Sequence, residues 1–176
     1  MKRIIAIILV LVALVPAFAS EEGPMFTYDL FARGLYVRKS IAAGGGLSLG
    51  VQDGFFRFEA YALADYYLSP LGGSGGAASI EFSAEAGGTF SWKILSAGFT
   101  DTFIGLDVGY FAQFAKVPLQ PERFFMGHNG IMIRPSLKTY LNFSKHYDMS
   151  LGVFFQMPLY PEYSEYRCIG VTLGIL

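Results

Sequence analysis

The sequence predicts an all-β fold, an eight-stranded antiparallel up-and-down transmembrane β-barrel, and three observations carry that prediction. Apolar residues recur at every second position in segment after segment beyond residue 25. Charged residues make up only 15% of the chain and aromatics reach 16%, whereas ordinary soluble domains carry about 25% charge. Beyond the N-terminal region no apolar run is long enough for a transmembrane helix, which needs about 20 residues. Inside lipid every backbone N–H and C=O must be paired within the protein, so a closed barrel is the alternative to helices.

The first residues read as a signal peptide. Lys2 and Arg3 form a positive n-region, Ile4 to Val15 an uninterrupted apolar stretch, and Ala17-Phe18-Ala19 a small-x-small cleavage signal. Residues 1–19 are therefore assigned to export and 20–176 to one barrel domain. Removing 19 of the 176 residues leaves 157, and without Lys2 and Arg3 there remain 11 basic residues against 14 acidic. No basic patch stands out, which argues against nucleic acid as a partner. Cys168 is the single cysteine, so no internal disulfide can staple the domain.

A period of two places successive side chains on opposite faces of a strand. Strand one runs from Met25 to Val37, with Tyr28, Leu30 and Tyr36 on the apolar phase. Strand two runs to Gln52, with Leu47, Leu49 and Val51 apolar. Asp53-Gly54 is a two-residue hairpin signal, and it would set Val51 against Phe56, Leu49 against Phe58 and Leu47 against Ala60. Strand three then carries Phe56, Phe58, Ala60 and Ala62 against Arg57, Glu59 and Tyr61. Residues 69–76 form a loop by composition. Strand four spans 77–92, with Ile80, Phe82 and Ala84 opposite Ser79, Glu81, Ser83 and Glu85. Residues 93–101 hold a turn or extend either neighbour.

Strand five spans Phe103 to Phe114, with Ile104, Leu106, Val108, Tyr110 and Ala112 opposite Gly105, Asp107, Gly109 and Gln113. Val117 to His128, with Pro118 and Pro121, reads as the longest loop. Strand six carries Ile131, Ile133, Leu137, Leu141 and Phe143 opposite Arg134, Ser136, Lys138, Tyr140 and Asn142. Pro135 lies inside it, and a bulge is expected there. After a turn near His146, strand seven sets Met149, Leu151, Val153, Phe155 and Met157 against Ser150, Gly152 and Gln156. A loop covers 158–165. Strand eight sets Ile169, Val171, Leu173 and Ile175 against Cys168, Gly170, Thr172 and Gly174. Connections after strands two and six are tight and those after three, five and seven are longer, the short–long alternation of an up-and-down barrel.

A soluble lipocalin-type barrel would alternate as well, with its apolar phase inside. Three features favour the reverse. The polar phase is mostly Gly, Ser and Thr, a poor water-facing surface. Several apolar rows are about ten residues long, enough to cross a hydrocarbon layer at a tilt. Aromatics gather toward strand ends at Tyr66, Tyr67, Trp92, Tyr147, Tyr160 and Tyr166, where interfacial girdles belong.

On this pattern, and on the last strand Cys168-Ile169-Gly170-Val171-Thr172-Leu173-Gly174-Ile175-Leu176, the chain resembles the small bacterial outer-membrane barrels of the OmpA, OmpX and OmpW kind. The last strand looks like the C-terminal strand read by the barrel-assembly machinery, although Leu176 stands where that family usually ends on an aromatic. The resemblance implies an outer-membrane location, with membrane lipid and that machinery as partners. Its OmpW branch implies a narrow conduit for small apolar solutes.

The phasing sends Asp29, Arg33, Arg57, Glu59, Glu81, Glu85, Asp107, Arg134 and Lys138 into the lumen. Eight strands leave room for side chains and little more, so these charges read as a compensated network that plugs the interior. Enzymatic acyl chemistry would need a His with a nucleophile and a carboxylate. His128 is followed by Asn129-Gly130, without the His-x-Ser spacing that resemblance to the lipid deacylases would require, and His146 falls in a tight turn. No cofactor or metal is expected, because two His and one Cys are scattered without ligand spacing. The Gly runs at 44–46 and 72–76 lack the Lys and helix of a phosphate loop. The expectation is a non-enzymatic barrel with a structural or surface-interaction role. A narrow conduit, a surface adhesin and a soluble ligand-binding barrel stand as alternatives.

Overall fold

The computed structural model describes residues 23–37, 40–71, 79–117, 120–143, 148–160 and 167–175. Residues 1–19, expected as a signal peptide, lie outside them, as do Tyr147 and His146. Eight strands follow in chain order: β1 (Met25–Val37), β2 (Ser40–Asp53), β3 (Phe56–Leu71), β4 (Ser79–Ala97), β5 (Thr100–Val117), β6 (Gln120–Asn142), β7 (Asp148–Pro158) and β8 (Cys168–Ile175). Each pairs antiparallel with its sequence neighbours, and β8 closes on β1.

Closure fixes the dimensions. A path of paired residues runs Met25, Gln52, Arg57, Ser91, Gly105, Ser136, Phe154 and Gly170, and returns to β1 at Leu35, ten residues above its start. A stagger of ten over eight strands means a strand tilt of about 40° and a backbone radius of about 8 Å. Along the barrel axis each residue then climbs about 2.5 Å, and each pairing step from β1 toward β8 about 3 Å.

The two faces of the wall are chemically opposite. Leu30, Leu49, Ile104, Val153 and Leu173 are exposed on the outside, while Asp29, Arg33, Asp65, Arg134 and Ser150 are buried within. This inverts the arrangement of a soluble ligand-binding barrel. Outward apolar rows from Phe26 to Tyr36, Phe56 to Tyr66 and Phe82 to Trp92 each cover ten residue steps. At the tilt above such a row is about 25 Å tall, the height of an outer-membrane apolar band. Tyr66, Trp92 and Tyr160 face outward at its edges, whereas Tyr67 is buried in the lumen; Tyr166 lies outside the described residues.

The hairpins refine the sequence expectations. The first turn is Gly54-Phe55, with Asp53 paired to Phe56 and Gly54 at φ 55°. Val51 therefore faces Phe58, two residues from the expected partner, and the shift by two leaves every face unchanged. A matching Gly98-Phe99 turn, with Gly98 at φ 59°, joins Ala97 to Thr100, so residues 93–101 extend both strands around a turn.

Three further expectations are corrected. Strand three continues through Ser69 and Pro70 to Leu71, with a register shift after Tyr66. The stretch expected as the longest loop is largely strand: β6 begins at Gln120, and only 118–119 separate it from β5. Pro121 is tolerated because β6 pairs with β7 only from Met132 downward, so its position lacks a second described partner strand. Pro135 makes no bulge. The β6–β7 ladder skips it, yet Ile133↔Met157 and Ser136↔Phe154 keep one register.

Candidate functional site

The candidate site is the lumen, and the wall's alternation builds it. Every inward position of a closed barrel faces the same axis, so residues far apart in sequence meet there. With a radius of about 8 Å, arginine and tyrosine side chains from opposite walls reach each other.

At the hairpin-turn end, aromatic rings and cations stack. Arg57 lies 4.2 Å above the Tyr140 ring, which meets Phe103 edge-on at 5.4 Å. Lys93 pairs with Asp101 at 3.0 Å and lies 5.5 Å from the Phe103 ring. A little higher, Arg57 donates to Glu59 at 2.7 Å and Ser48 donates to the same oxygen at 2.9 Å. Lys138 pairs with Asp29, which also accepts from Ser150 at 3.1 Å.

Mid-wall there is a chamber of about 70 Å³ whose lining includes Ser48, Thr89, Ser91, Ser136 and Thr172, with Glu59, Asp107 and Lys138. It has room for roughly five waters among hydroxyls and charges. Above it Glu85 acts as a node. One of its oxygens accepts from Arg134 and lies 3.6 Å from Arg33; the other accepts from Tyr61 at 2.5 Å. Arg134 also donates to Asp107 and to Gln156, each at 3.1 Å. Arg33 grips Asp65 through two nitrogens. Toward the far end the interior turns apolar, with Leu35, Val37, Ala42, Tyr67, Ala115 and Cys168 in one buried cluster.

The structure thus places Asp29, Arg33, Arg57, Glu59, Glu85, Asp107, Arg134 and Lys138 inside the barrel and joins them in three ion-paired groups. Glu81 lies in β4, and its side chain is outside the described residues. Sequence reasoning set Gln156 on the polar phase without counting it in the charge network, and it missed Asp65, Lys93 and the inward aromatics Phe103, Phe111 and Phe154. Strand phase could have found them, since each shares parity with a polar residue already sent inward. His128 is half-buried and Cys168 is buried, and among the described residues no cluster of potential metal ligands forms.

This inside-out barrel has a structural counterpart. Its fold matches that of Neisserial surface protein A. The match to the crystal structure of that protein has a TM-score of 0.70, covers 87% of this chain and 97% of that one, and carries 9% sequence identity. At that identity the likeness speaks for the fold, a small eight-stranded transmembrane barrel. No protein-family model matches the sequence, and no curated protein matches it.

Proposed function

We propose that this chain is a small integral outer-membrane barrel, exported by residues 1–19, with no enzymatic activity and a lumen closed by its own side chains. The observation that carries the proposal is the Glu85 node, where side chains from β1, β3, β4 and β6 meet across the axis. Such cross-axis contacts support a closed lumen, and buried charges are held only where they are compensated. Membrane lipid is the partner of the outward apolar rows. We further propose that strand β8, which carries Ile169, Val171, Leu173 and Ile175 outward, is the strand the barrel-assembly machinery recognises.

With no path through the wall, the role falls to the surface and to membrane architecture. The conduit is the reading to test against it. Single-channel recording in planar bilayers, with liposome swelling beside it, is expected to give a tight electrical seal and no solute uptake. Steady unitary conductance or swelling in small solutes would replace the closed lumen with a conduit.

A further inference from the structure

The hairpin-turn end of the barrel carries a second apolar feature, distinct from the rows on the wall. Both described turns at that end bear an exposed phenylalanine, Phe55 at 65% and Phe99 at 57%, and Phe143 just after β6 is 60% exposed; residues 144–147 of the third connection lie outside the described residues. The stagger of the strands gives their heights independently. Counted along the axis, Phe55, Phe99 and Phe143 fall within about 4 Å of one another, and Phe26 at the start of β1 joins the same level. The ring stack of Phe99 on Phe143, with centroids 5.7 Å apart, agrees with that common height.

Charge at this level is turned the other way. Asp53 is buried, and Lys93 pairs with Asp101 inside the mouth. Among the residues whose side chains are described, no charged group faces outward there. The opposite edge of the apolar belt differs in kind. It carries Tyr36, Tyr66, Tyr110 and Tyr160, all exposed. A tyrosine presents an apolar ring with a polar tip and suits the water boundary of a bilayer, whereas phenylalanine has no group for headgroups or water to bond. Tips of aqueous turns are ordinarily polar; Gly54-Phe55 and Gly98-Phe99 are not.

We infer that the hairpin-turn end is immersed in the bilayer, with Phe55, Phe99 and Phe143 docked into the acyl–headgroup boundary of the leaflet on that side. The occupant of this surface is phospholipid, because the collar stands at the foot of the outward apolar rows with only threonines between, two of which, Thr102 and Thr139, bond to each other at 3.1 Å. The turn tips therefore mark the lower edge of the apolar belt, about 28 Å below the tyrosines. Polar reach into water belongs to the opposite end, where β5 and β6 rise above the tyrosine level. The inference rests on the membrane reading proposed above.

Site-directed spin labels test both and tell them apart. Single cysteines from Phe55→Cys, Phe99→Cys and Phe143→Cys, each in a Cys168→Ser background, are labelled in phosphatidylcholine vesicles beside a control within the belt, Val108→Cys. The expected result is strong collision with dissolved oxygen and loss of collision with a water-soluble nickel chelate at all four positions. Nickel contact at the three tips with an oxygen-dominated Val108 label would overturn the inference and leave the membrane reading standing. Nickel contact at Val108 would overturn both. If a tip cysteine blocks folding, Phe99→Trp in a Trp92→Phe background answers the same question. Quenching by brominated lipid supports immersion, and quenching by aqueous iodide overturns it.

Discussion

Replacing Glu85 by alanine should destabilise the barrel measurably, because it removes the node that links three strands of the lumen charge network to β4. The carboxylate is bound by Arg134, accepts from Tyr61 at 2.5 Å and stands 3.6 Å from Arg33. Its loss leaves two buried guanidinium groups short of countercharge and a buried hydroxyl without its acceptor. Removing one partner of a buried ion pair costs about 3–5 kcal/mol. Here the lower end applies, because Arg134 keeps Asp107 and Gln156, and Arg33 keeps Asp65. At a urea slope of about 2 kcal/mol/M, a loss of about 3 kcal/mol lowers the unfolding midpoint by about 1.5 M. Urea titration in lipid vesicles, followed by tryptophan fluorescence, reads that shift. Removing both charges with Glu85→Leu and Arg134→Met should recover part of it, since a buried pair exchanged for apolar residues is often neutral or better. A Glu85→Ala midpoint within about 0.3 M of the parent would refute the claim that this node organises the lumen.

Three other outcomes follow from the same geometry. Leu106→Arg, near mid-belt on the outside, should destabilise the barrel in lipid by about 2–4 kcal/mol, with the same change at Thr100 near the turn end costing about 0–1; equal costs at both depths would argue against a lipid-facing belt. Gly46→Ala should cost about 1–3 kcal/mol in the same titration, because the added methyl meets the Leu63 Cα at 2.8 Å and the Ala62 carbonyl closer still. Tyr140→Leu should cost about 1 kcal/mol through loss of the Arg57 stack, and a double-mutant cycle with Arg57→Met isolates that coupling.

How much was legible in the sequence depended on what a period of two can encode. The face of each strand was readable, because parity alone decides it, and Ile104, Leu106 and Val108 or Ile169, Val171 and Leu173 sit outward as expected. Parity is blind to a shift of two, so the hairpin closed on Gly54-Phe55 although Asp53-Gly54 is the stronger turn dipeptide. Proline misled where its missing N–H faced no described partner strand: Pro121 looked like a loop residue and lies in β6. The lumen contacts were the hardest to foresee. Arg134 and Glu85 are 49 residues apart, and only the stagger of ten brings them to one height. Aromatic residues such as Phe154 were marked as inward by strand phase alone, since the same residue type also decorates the outside.

The central claim is that the alternation faces lipid outward, and the sole tryptophan can test it directly. Trp92 is exposed on the outer wall near the turn-end edge of the belt. In vesicles containing brominated phospholipids its fluorescence should be strongly quenched and should resist aqueous iodide. Iodide quenching with indifference to brominated lipid would place the apolar face in water and contradict the account.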